Sequence, residues 1–374
     1  MVKIGLNIHT LKRGQRPYSA EEKMRLFTWL ENARPSAVLV LDDDGWAREI
    51  KRLLPECRVV IRKWHGDDGR LHLTMTPQAF VDTYAKAAEG GLILNVLNEP
   101  SGYADLARLS DWCAAVLTRL GQQGISAAAP NFGVGHPTLS PEGLNQLKPL
   151  FEILQTWRHV HFLGLHEYWT HTGYDLQGRW RVGRFTRLAE WLTANNYAIP
   201  NILITEWGID SALDGTPQRG WRDSRAEQQY AKECNDLAAW YSQFPQVQGL
   251  CLFSYGNTGK IGTGEDWSSF DVSDAEVFLN SISLPVPPAE TNTPPGQYIL
   301  RTASPTGTVN MRPTPSTTGA PVAVLRDKQN VTVRDAKPAS GSGYTWLPVL
   351  VDNREGWIAV LPAVYTLEKP CLLY

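Results

Sequence analysis

Short apolar runs rich in β-branched residues alternate with helical segments over residues 1–283. This alternation predicts parallel strands joined by helical crossovers. Eight runs over about 280 residues predict a closed (β/α)8 barrel, because both the count and the length fit that fold. The runs are Val2–His9, Ala37–Leu41, Arg58–Trp64, Leu92–Leu97, Ile125–Ala129, His161–His166, Asn201–Thr205 and Val247–Phe253.

Helix signals lie between these runs. Ser140 before Pro141 is typical of a helix start, since an N-cap residue precedes proline at the first helical position. An open doubly wound sheet is the alternative fold, but Asn7-Ile8-His9-Thr10 stands where a glycine-rich phosphate loop would follow the first strand. The predicted helices are Ala20–Leu30, Trp46–Leu54, Pro77–Ala88, Tyr103–Leu120, Ser140–Trp157, Phe185–Ala194, Ser224–Tyr241 and Asp274–Ser281.

The composition changes after residue 283. Residues 284–296 are rich in proline and predict a semi-rigid linker. Residues 297–374 carry only short β-like runs with turns between them, which predicts a small all-β domain. The predicted organisation is therefore a (β/α)8 barrel at 1–283, a linker at 284–296 and a β domain at 297–374.

Composition and charge exclude several classes of function. The chain is 43% hydrophobic and 20% charged, as in soluble globular proteins, and its formal net charge of −2 gives no basic field for nucleic acid. No apolar stretch is long enough to predict a membrane span. The five cysteines include no CxxC pair, and their odd number argues against a disulfide framework. Cys113, Cys234 and Cys251 lie in apolar contexts and are expected to be core thiols, which fits a reducing compartment. Without a signal-peptide pattern we expect a cytoplasmic protein, or a secreted or phage-delivered one if a leader is removed or not needed.

Two glutamates follow corresponding strands of the predicted barrel. Glu99 lies between Asn98 and Pro100 after the fourth run, and Glu206 precedes Trp207 after the seventh. Active sites of such barrels lie at the carboxyl ends of the strands, so the two carboxylates are expected to face each other. Glycoside cleavage needs such a pair, one carboxyl group to protonate the leaving oxygen and one to attack or to deliver water. The alternative is that either carboxylate only caps the next helix.

The triplet Asn98-Glu99-Pro100 on the fourth strand, together with Glu206 on the seventh, resembles the clan A glycoside hydrolases. These are retaining (β/α)8 enzymes that cleave mostly β-linked glycosides. The resemblance covers about residues 1–283 in order and motif. It implies that Glu99 is the acid/base and Glu206 the nucleophile.

The resemblance extends to the sixth strand. His166-x-Tyr168 is similar to the His-x-Tyr of the cellulase and mannanase families in that clan. It implies that Asn98 hydrogen-bonds the 2-hydroxyl, that Tyr168 orients Glu206 and that His166 supports the site. Arg62, at the end of the third run, is expected to neutralise the nucleophile.

The aromatic residues leave the sugar open. Many clan members carry a tryptophan at the end of the eighth strand, where this chain has Phe253-Ser254-Tyr255-Gly256. Tyr255, Phe253 or Trp267 is expected to take its place. Three other tryptophans near the predicted top loops are candidate sugar platforms or packing residues, namely Trp64, Trp169 and Trp207.

Other polar residues have competing interpretations. Asp42-Asp43-Asp44 after the second run is either a solvated loop leading into a helix or a site for substrate hydroxyls. Glu167 is expected to point away from its neighbours His166 and Tyr168, because side chains alternate along a strand. The histidines are scattered and show no HExxH spacing, so we expect no catalytic metal and no cofactor.

The C-terminal segment has its own resemblance. Asn310-Met311-Arg312-Pro313-Thr314-Pro315-Ser316 is similar to the N-x-R-x-x-P-S opening of bacterial SH3-like domains. Tyr344-Thr345-Trp346 and Gly356-Trp357-Ile358 resemble later segments of that family. The match spans about residues 297–368 and implies a cell-wall peptide or glycan as ligand, whereas a spacer module is the alternative.

Three functions remain open from the sequence. The first is a retaining β-glycosidase acting on an oligo- or polysaccharide. The second is the same chemistry aimed at peptidoglycan-type cell-wall glycan through the SH3-like domain. The third, a non-catalytic glycan-binding barrel, is disfavoured because both carboxylates and their predicted supports are present.

Overall fold

The computed structural model forms two compact units, Met1–Pro285 and Val286–Tyr374. Each unit has its own hydrophobic core. Most of the predicted linker, residues 284–295, lies outside the described residues. The structure describes residues 2–9, 11–12, 16–64, 68–100, 105–176, 178–216, 219–257, 266–283, 296–302, 308–316, 320–326, 328–334, 339–341, 344–359 and 365–368.

Eight parallel strands close into a barrel among the described residues of the first unit. The first strand pairs with both the second and the eighth, so the sheet has no edge. A closed parallel barrel with helical crossovers is the (β/α)8 fold, so that prediction is confirmed and the open sheet is wrong. The strands are β1 Ile4–Ile8, β2 Ala37–Leu41, β3 Arg58–Arg62, β4 Ile93–Asn95, β5 Ser126–Phe132, β6 His161–Trp169, β7 Ile202–Ile209 and β8 Val247–Tyr255.

Helices connect these strands, and local sequence explains where they start. Ser19 and Glu22 form a capping box, in which the Ser19 hydroxyl accepts from the Glu22 N–H and the Glu22 carboxylate accepts from the Ser19 N–H. In the described part of the chain no helix has the length and apolarity needed to cross a membrane. The helices are α1 Ala20–Ala33, α2 Asp44–Leu53, α3 Leu71–Thr74, α4 Pro77–Tyr84, α5 Leu106–Gln122, α6 Pro141–Gln146, α7 Lys148–Thr156, α8 Arg184–Ala194, α9 Glu227–Tyr241 and α10 Glu276–Ser283.

The helix predicted for Ser140–Trp157 is two helices. α6 ends at Gln146 and α7 begins at Lys148, with Pro149 in its first turn. Proline has no N–H to donate and clashes with the preceding turn, so a helix starts there more easily than it continues. The break is therefore a local consequence of Pro149.

Alternation along the strands divides the barrel core into two layers. Val38 and Val40 on β2 pack in the cluster that includes the helices, whereas Ala37 and Leu39 face the other way. The second layer fills the barrel interior with strand residues alone. Cys113, Cys234 and Cys251 are buried free thiols, as their apolar contexts predict. The interior residues are Ala37, Leu39, Val60, Ile93, Ala128, Phe162, Leu203 and Cys251.

The second unit is built of antiparallel strands around a small core. Its described elements include no helix, in agreement with the predicted all-β character. The SH3-like assignment and the domain boundaries remain predictions. The strands are β9 Gly296–Thr302, β10 Thr308–Met311, β11 Ala323–Arg326, β12 Asn330–Val333, β13 Ala339–Gly341, β14 Tyr344–Val351, β15 Arg354–Ala359 and β16 Tyr365–Glu368.

Candidate active site

A cleft of about 810 Å³ opens at the carboxyl ends of the barrel strands. Both predicted catalytic carboxylates, Glu99 and Glu206, line it. The site therefore lies where active sites of this fold are found. The other predicted site residues that line the cleft are Arg62, Trp64, Asn98, Tyr168 and Trp267.

Glu206 is held rigidly at the base of the cleft. It lies on β7 and is only 7% exposed. Arg62 Nη1 donates to Glu206 Oε1 at 3.0 Å, and the Tyr168 hydroxyl donates to Oε2 at 2.9 Å. Arg62 reaches it from β3 and Tyr168 from β6. A buried carboxylate that accepts from a guanidinium on one oxygen and from a phenol on the other is held in one orientation.

Glu99 has a more open environment. It follows β4 with a left-handed φ of 45°, which non-glycine residues adopt mostly where surrounding contacts impose it. Its backbone N–H donates to Asn131 O at 3.0 Å. About half of its side chain is exposed, at 51%. A Cβ on Gly133 would lie 3.1 Å from Glu99 Oε1, so the absence of a side chain there leaves room for the carboxylate.

His166 links the two carboxylates. Its Nδ1 lies 2.9 Å from Glu99 Oε1 and 3.4 Å from Glu206 Oε2. His166 and Glu206 are register partners on β6 and β7, which fixes their spacing. One oxygen of each glutamate and this nitrogen all lie within 4.8 Å of one another. The two carboxylates are thus close enough to act on one bond.

The ionisation of the site follows from these contacts. Burial raises the pKa of Glu99, but the hydrogen bond and charge of His166, with the charge of Arg62, outweigh it, so the pKa lies below its ordinary value. Burial lowers the pKa of His166, but Glu206 and the hydrogen bond to Glu99 raise it above its ordinary value. Burial and Glu206 keep the pKa of Tyr168 well above its usual range, so its hydroxyl stays a donor. The proton shared by Glu99 and His166 therefore favours His166.

The same three side chains have the composition of a metal site. Glu99, His166 and Glu206 offer one ligand atom each within 4.8 Å. Arg62 already neutralises Glu206 at 3.0 Å, and a metal ion there would lie against a second positive charge. The arrangement suits proton transfer better than metal binding.

Asn131 supports the segments that carry both glutamates, and no sequence motif singles it out. Its Nδ2 donates to Leu97 O at 2.7 Å, and its Oδ1 accepts from the Thr205 hydroxyl at 2.9 Å. Asn131 is fully buried, and a Cβ on Gly164 would lie 2.0 Å from its Oδ1. Its hydrogen bonds thereby connect Leu97, two residues before Glu99, with Thr205, the residue before Glu206.

Comparisons with known proteins find only distant structural neighbours. No family model matches the chain, and no curated protein matches it. An endo-beta-1,3-glucanase from Sorangium cellulosum is similar in structure with a TM-score of 0.42 and 14% identity, over 73% of this chain and 98% of that one. A beta-glucuronidase from Faecalibacterium prausnitzii has a TM-score of 0.47 and 11% identity, over 76% of this chain and 48% of that one. Beta-glucuronidase 2 from Bacteroides uniformis has a TM-score of 0.49 and 11% identity, over 99% of this chain and 46% of that one.

These structural neighbours are glycoside hydrolases, and the chain spans about half the length of the two glucuronidases. At such identities and TM-scores the likeness carries no argument about this chain.

Three aromatic residues predicted for the site do not reach the cleft. Trp169 and Trp207 are buried among helix residues, with ring centroids 5.2 Å apart. Each lies one position away from an inward-facing residue, so strand alternation turns it outward. Tyr255 stacks on Tyr18 and lines a separate cavity of about 690 Å³ beside α1 and α10. These three are packing residues.

Phe253 and Trp267 both line the cleft that Glu99 and Glu206 line. Their rings meet edge to face at 5.6 Å. Of the three candidates for the missing strand-eight tryptophan, these two are therefore in position. Asn98 also faces the cleft, and its buried Oδ1 has no hydrogen-bond partner in the described chain. A buried acceptor without a partner suits a ligand hydroxyl.

Four polar residues of the cleft were missed by the sequence analysis. Burial lowers the pKa of His9 to about 3, so it stays neutral, and it lies beside Phe253 and Trp267. The others lie on the side of β5 and β7. Their positions after predicted strand ends could have indicated a place in the cleft, but their residue types match no catalytic motif. They are His136, Asp210 and Arg219.

Proposed function

We propose that the first unit is a retaining glycoside hydrolase that cleaves β-linked glycosides, with Glu206 as nucleophile and Glu99 as acid/base. The observation that supports this best is the closeness of the two carboxylates, which have oxygens within 4.8 Å of each other. Retaining enzymes hold their carboxyl groups about 5–5.5 Å apart and inverting enzymes about 6.5–9.5 Å apart. One oxygen of each glutamate also lies within 3.4 Å of the same nitrogen, His166 Nδ1, which favours the shorter spacing.

In the first step Glu206 attacks the anomeric carbon of the sugar. A bond forms from this carbon to a carboxylate oxygen as the bond to the leaving oxygen breaks. Glu99 gives its proton to that leaving oxygen. The proton reaches Glu99 from His166 along their 2.9 Å hydrogen bond, because a bound substrate excludes water and favours the neutral acid. Arg62 and Tyr168 hold the nucleophile in the attacking geometry.

In the second step water replaces the enzyme at the anomeric carbon. Glu99, now a carboxylate, removes a proton from the attacking water, and Glu206 leaves as a carboxylate. Arg62 and Tyr168 stabilise the negative charge that returns to it. Asn98 Oδ1 accepts from the sugar 2-hydroxyl, a bond that the resemblance implies and that the unpaired buried acceptor supports. The product keeps the configuration of the substrate.

Hydrolysis of 4-nitrophenyl and phenyl β-glycosides of several sugars tests this proposal. Glu206→Ala is expected to abolish hydrolysis of both. Glu99→Gln is expected to lose far more activity on the phenyl glycoside, because nitrophenolate leaves without a proton. Glu89→Gln, at an exposed position outside the cleft, is the matched control. Wild-type activity that survives in Glu206→Ala would contradict the nucleophile assignment, and a wild type inactive on every glycoside would favour the glycan-binding barrel.

A cell-wall glycan hydrolase is the second candidate. It rests on the resemblance of residues 297–368 to SH3-like domains and on their all-β character. We propose that this domain follows a linker at 284–296 and binds cell-wall peptide or glycan. Co-sedimentation of the full chain with insoluble peptidoglycan, with cellulose as control, tests it, and equal recovery on both would contradict it.

A further inference from the structure

Trp64 offers an exposed aromatic face inside the cleft. It follows β3, is 53% exposed and lines the same cavity as Glu99 and Glu206. Trp180 is similarly exposed, at 55%, but does not line that cavity. A single exposed apolar residue on a surface needs no explanation. In a cleft that holds catalytic carboxylates, however, a flat apolar ring is the surface on which a ligand packs.

The backbone of Trp64 is fixed to the catalytic framework. Its N–H donates to Asp42 Oδ1 at 2.8 Å, and the Asp42 N–H donates to Arg62 O at 2.8 Å. These two bonds join the ends of β2 and β3. Arg62 is also the residue that holds Glu206 at 3.0 Å. The exposed indole is therefore attached to the same strand end as the partner of the nucleophile.

Asp42 adds a polar group beside this ring. It is exposed, lines the cleft and has a left-handed φ of 59°. One carboxylate oxygen accepts from Trp64, and the other has no hydrogen bond among the described residues. Lys63 is paired with Asp44 at 3.1 Å. A free carboxylate oxygen accepts sugar hydroxyls and repels a sugar that carries its own carboxylate.

We propose that Trp64 and Asp42 form a second sugar subsite, which binds an uncharged sugar unit of a longer β-linked chain. The sugar ring packs on the indole, and its hydroxyls donate to the free oxygen of Asp42. This inference rests on the proposed hydrolase function and defines its substrate as an oligo- or polysaccharide. Binding energy from such a remote unit lowers the barrier at the reacting bond, so longer substrates are expected to have a higher kcat as well as a lower KM.

The test compares chain lengths. Gluco- and manno-oligosaccharides of two to six sugars, with β-1,3 or β-1,4 linkages, are assayed beside the 4-nitrophenyl β-glycoside of the same sugar. In the wild type, kcat/KM is expected to rise with length. In Trp64→Ala, the ratio of kcat/KM for the hexasaccharide to that for the aryl glycoside is expected to fall about tenfold or more, and Trp64→Phe is expected to restore part of it.

Matched variants separate a subsite from a structural role. Trp180→Ala removes an exposed tryptophan outside the cleft and is expected to leave the ratio unchanged. Asp42→Asn keeps the acceptor for the Trp64 N–H but loses the charge, and is expected to lower the discrimination against oligosaccharides containing uronic acid. An unchanged ratio in Trp64→Ala, or no gain with length in the wild type, would overturn the subsite while leaving the hydrolase intact. A wild type inactive on all glycosides would overturn both.

Discussion

At the scale of single residues, the two glutamates differ through their surroundings. Glu206 is 7% exposed and bound by Arg62 and Tyr168, so its carboxylate is fixed in one orientation, as the proposed nucleophile requires. The Glu99 side chain is 51% exposed and shares a proton with His166. Where the surroundings of two carboxyl groups push their pKa values apart, the group that can hold a proton is expected to be the acid and the other the nucleophile.

The His166–Glu99 pair predicts the alkaline limb of the pH profile. The raised pKa of His166, above its ordinary 6.5, should keep the shared proton in place at neutral pH, so kcat/KM on a phenyl β-glycoside is expected to fall only above that value. In His166→Gln the proton rests on Glu99 alone, and the alkaline limb is expected to move to lower pH. Rates from pH 4 to 9 measure it. An alkaline limb unmoved in His166→Gln would contradict the shared proton.

At the scale of elements, Glu167 joins β6 to two helices. It points away from the cleft, as strand alternation predicts, and is 1% exposed. Its carboxylate accepts from the N–H of Gly183 at 2.7 Å and of Phe185 at 3.1 Å, at the start of α8. The Tyr241 hydroxyl of α9 also donates to it. One buried side chain thus sets the positions of a strand and two helices behind the candidate catalytic residues.

Burial of Glu167 makes stability depend on pH. Its pKa is raised from 4.5 to about 7, chiefly by desolvation. The contribution of protonated Glu167 to the free energy of unfolding is full below pH 4.5 and decreases as pH rises to about 7. The reason is that the unfolded chain releases this proton at a lower pH than the folded chain does. Glu167→Gln has no such proton, so its free energy of unfolding is expected to fall less than that of the wild type between pH 4.5 and about 7. The difference between the two falls is at most about 3 kcal/mol.

Urea unfolding of both proteins between pH 4.5 and 8 measures this difference, with Glu89→Gln as control. Glutamine cannot accept every bond of the carboxylate, so a lower stability at all pH values is expected as well. The slope is the informative quantity. Equal slopes in wild type and Glu167→Gln would contradict a buried neutral Glu167 below pH 7.

The elements also show what the sequence could predict. The apolar runs carry a period that depends on local order alone, so the eight strands and the flanking Asn98-Glu99 and Glu206 were predictable. The extents of β6 and β7 were not, because they depend on pairing from His166–Glu206 to Trp169–Ile209. Without that register, Trp169 and Trp207 were placed at the cleft. Asn131 was missed since its contacts join distant segments of the chain.

At the scale of the whole molecule, the two units have separate cores. The clusters of the first unit run from Ile4 to Ile282, and the core of the second runs from Tyr298 to Ile358. Every candidate catalytic residue lies in the first. A compact unit with its own core can fold alone.

A fragment of residues 1–285 is therefore expected to fold and to hydrolyse aryl β-glycosides with kcat/KM within about twofold of the full chain. Calorimetry and the aryl glycoside assay measure both properties. The full chain is expected to show an additional, smaller transition from the second unit. A fragment that is unfolded, or folded but inactive while the full chain is active, would contradict the assignment of the site to the first unit alone.

The central claim, that Glu206 is the nucleophile of a retaining hydrolase, is tested most directly by trapping the intermediate. Dinitrophenyl 2-deoxy-2-fluoro-β-glycosides of glucose, mannose, galactose and glucuronic acid form such intermediates faster than these are hydrolysed. Mass spectrometry of the intact protein and its peptides is expected to find one fluoro-sugar on the peptide that carries Glu206, and none in Glu206→Gln. A sugar on another residue, or hydrolysis of β-glycosides with an inverted product and no adduct, would contradict the account.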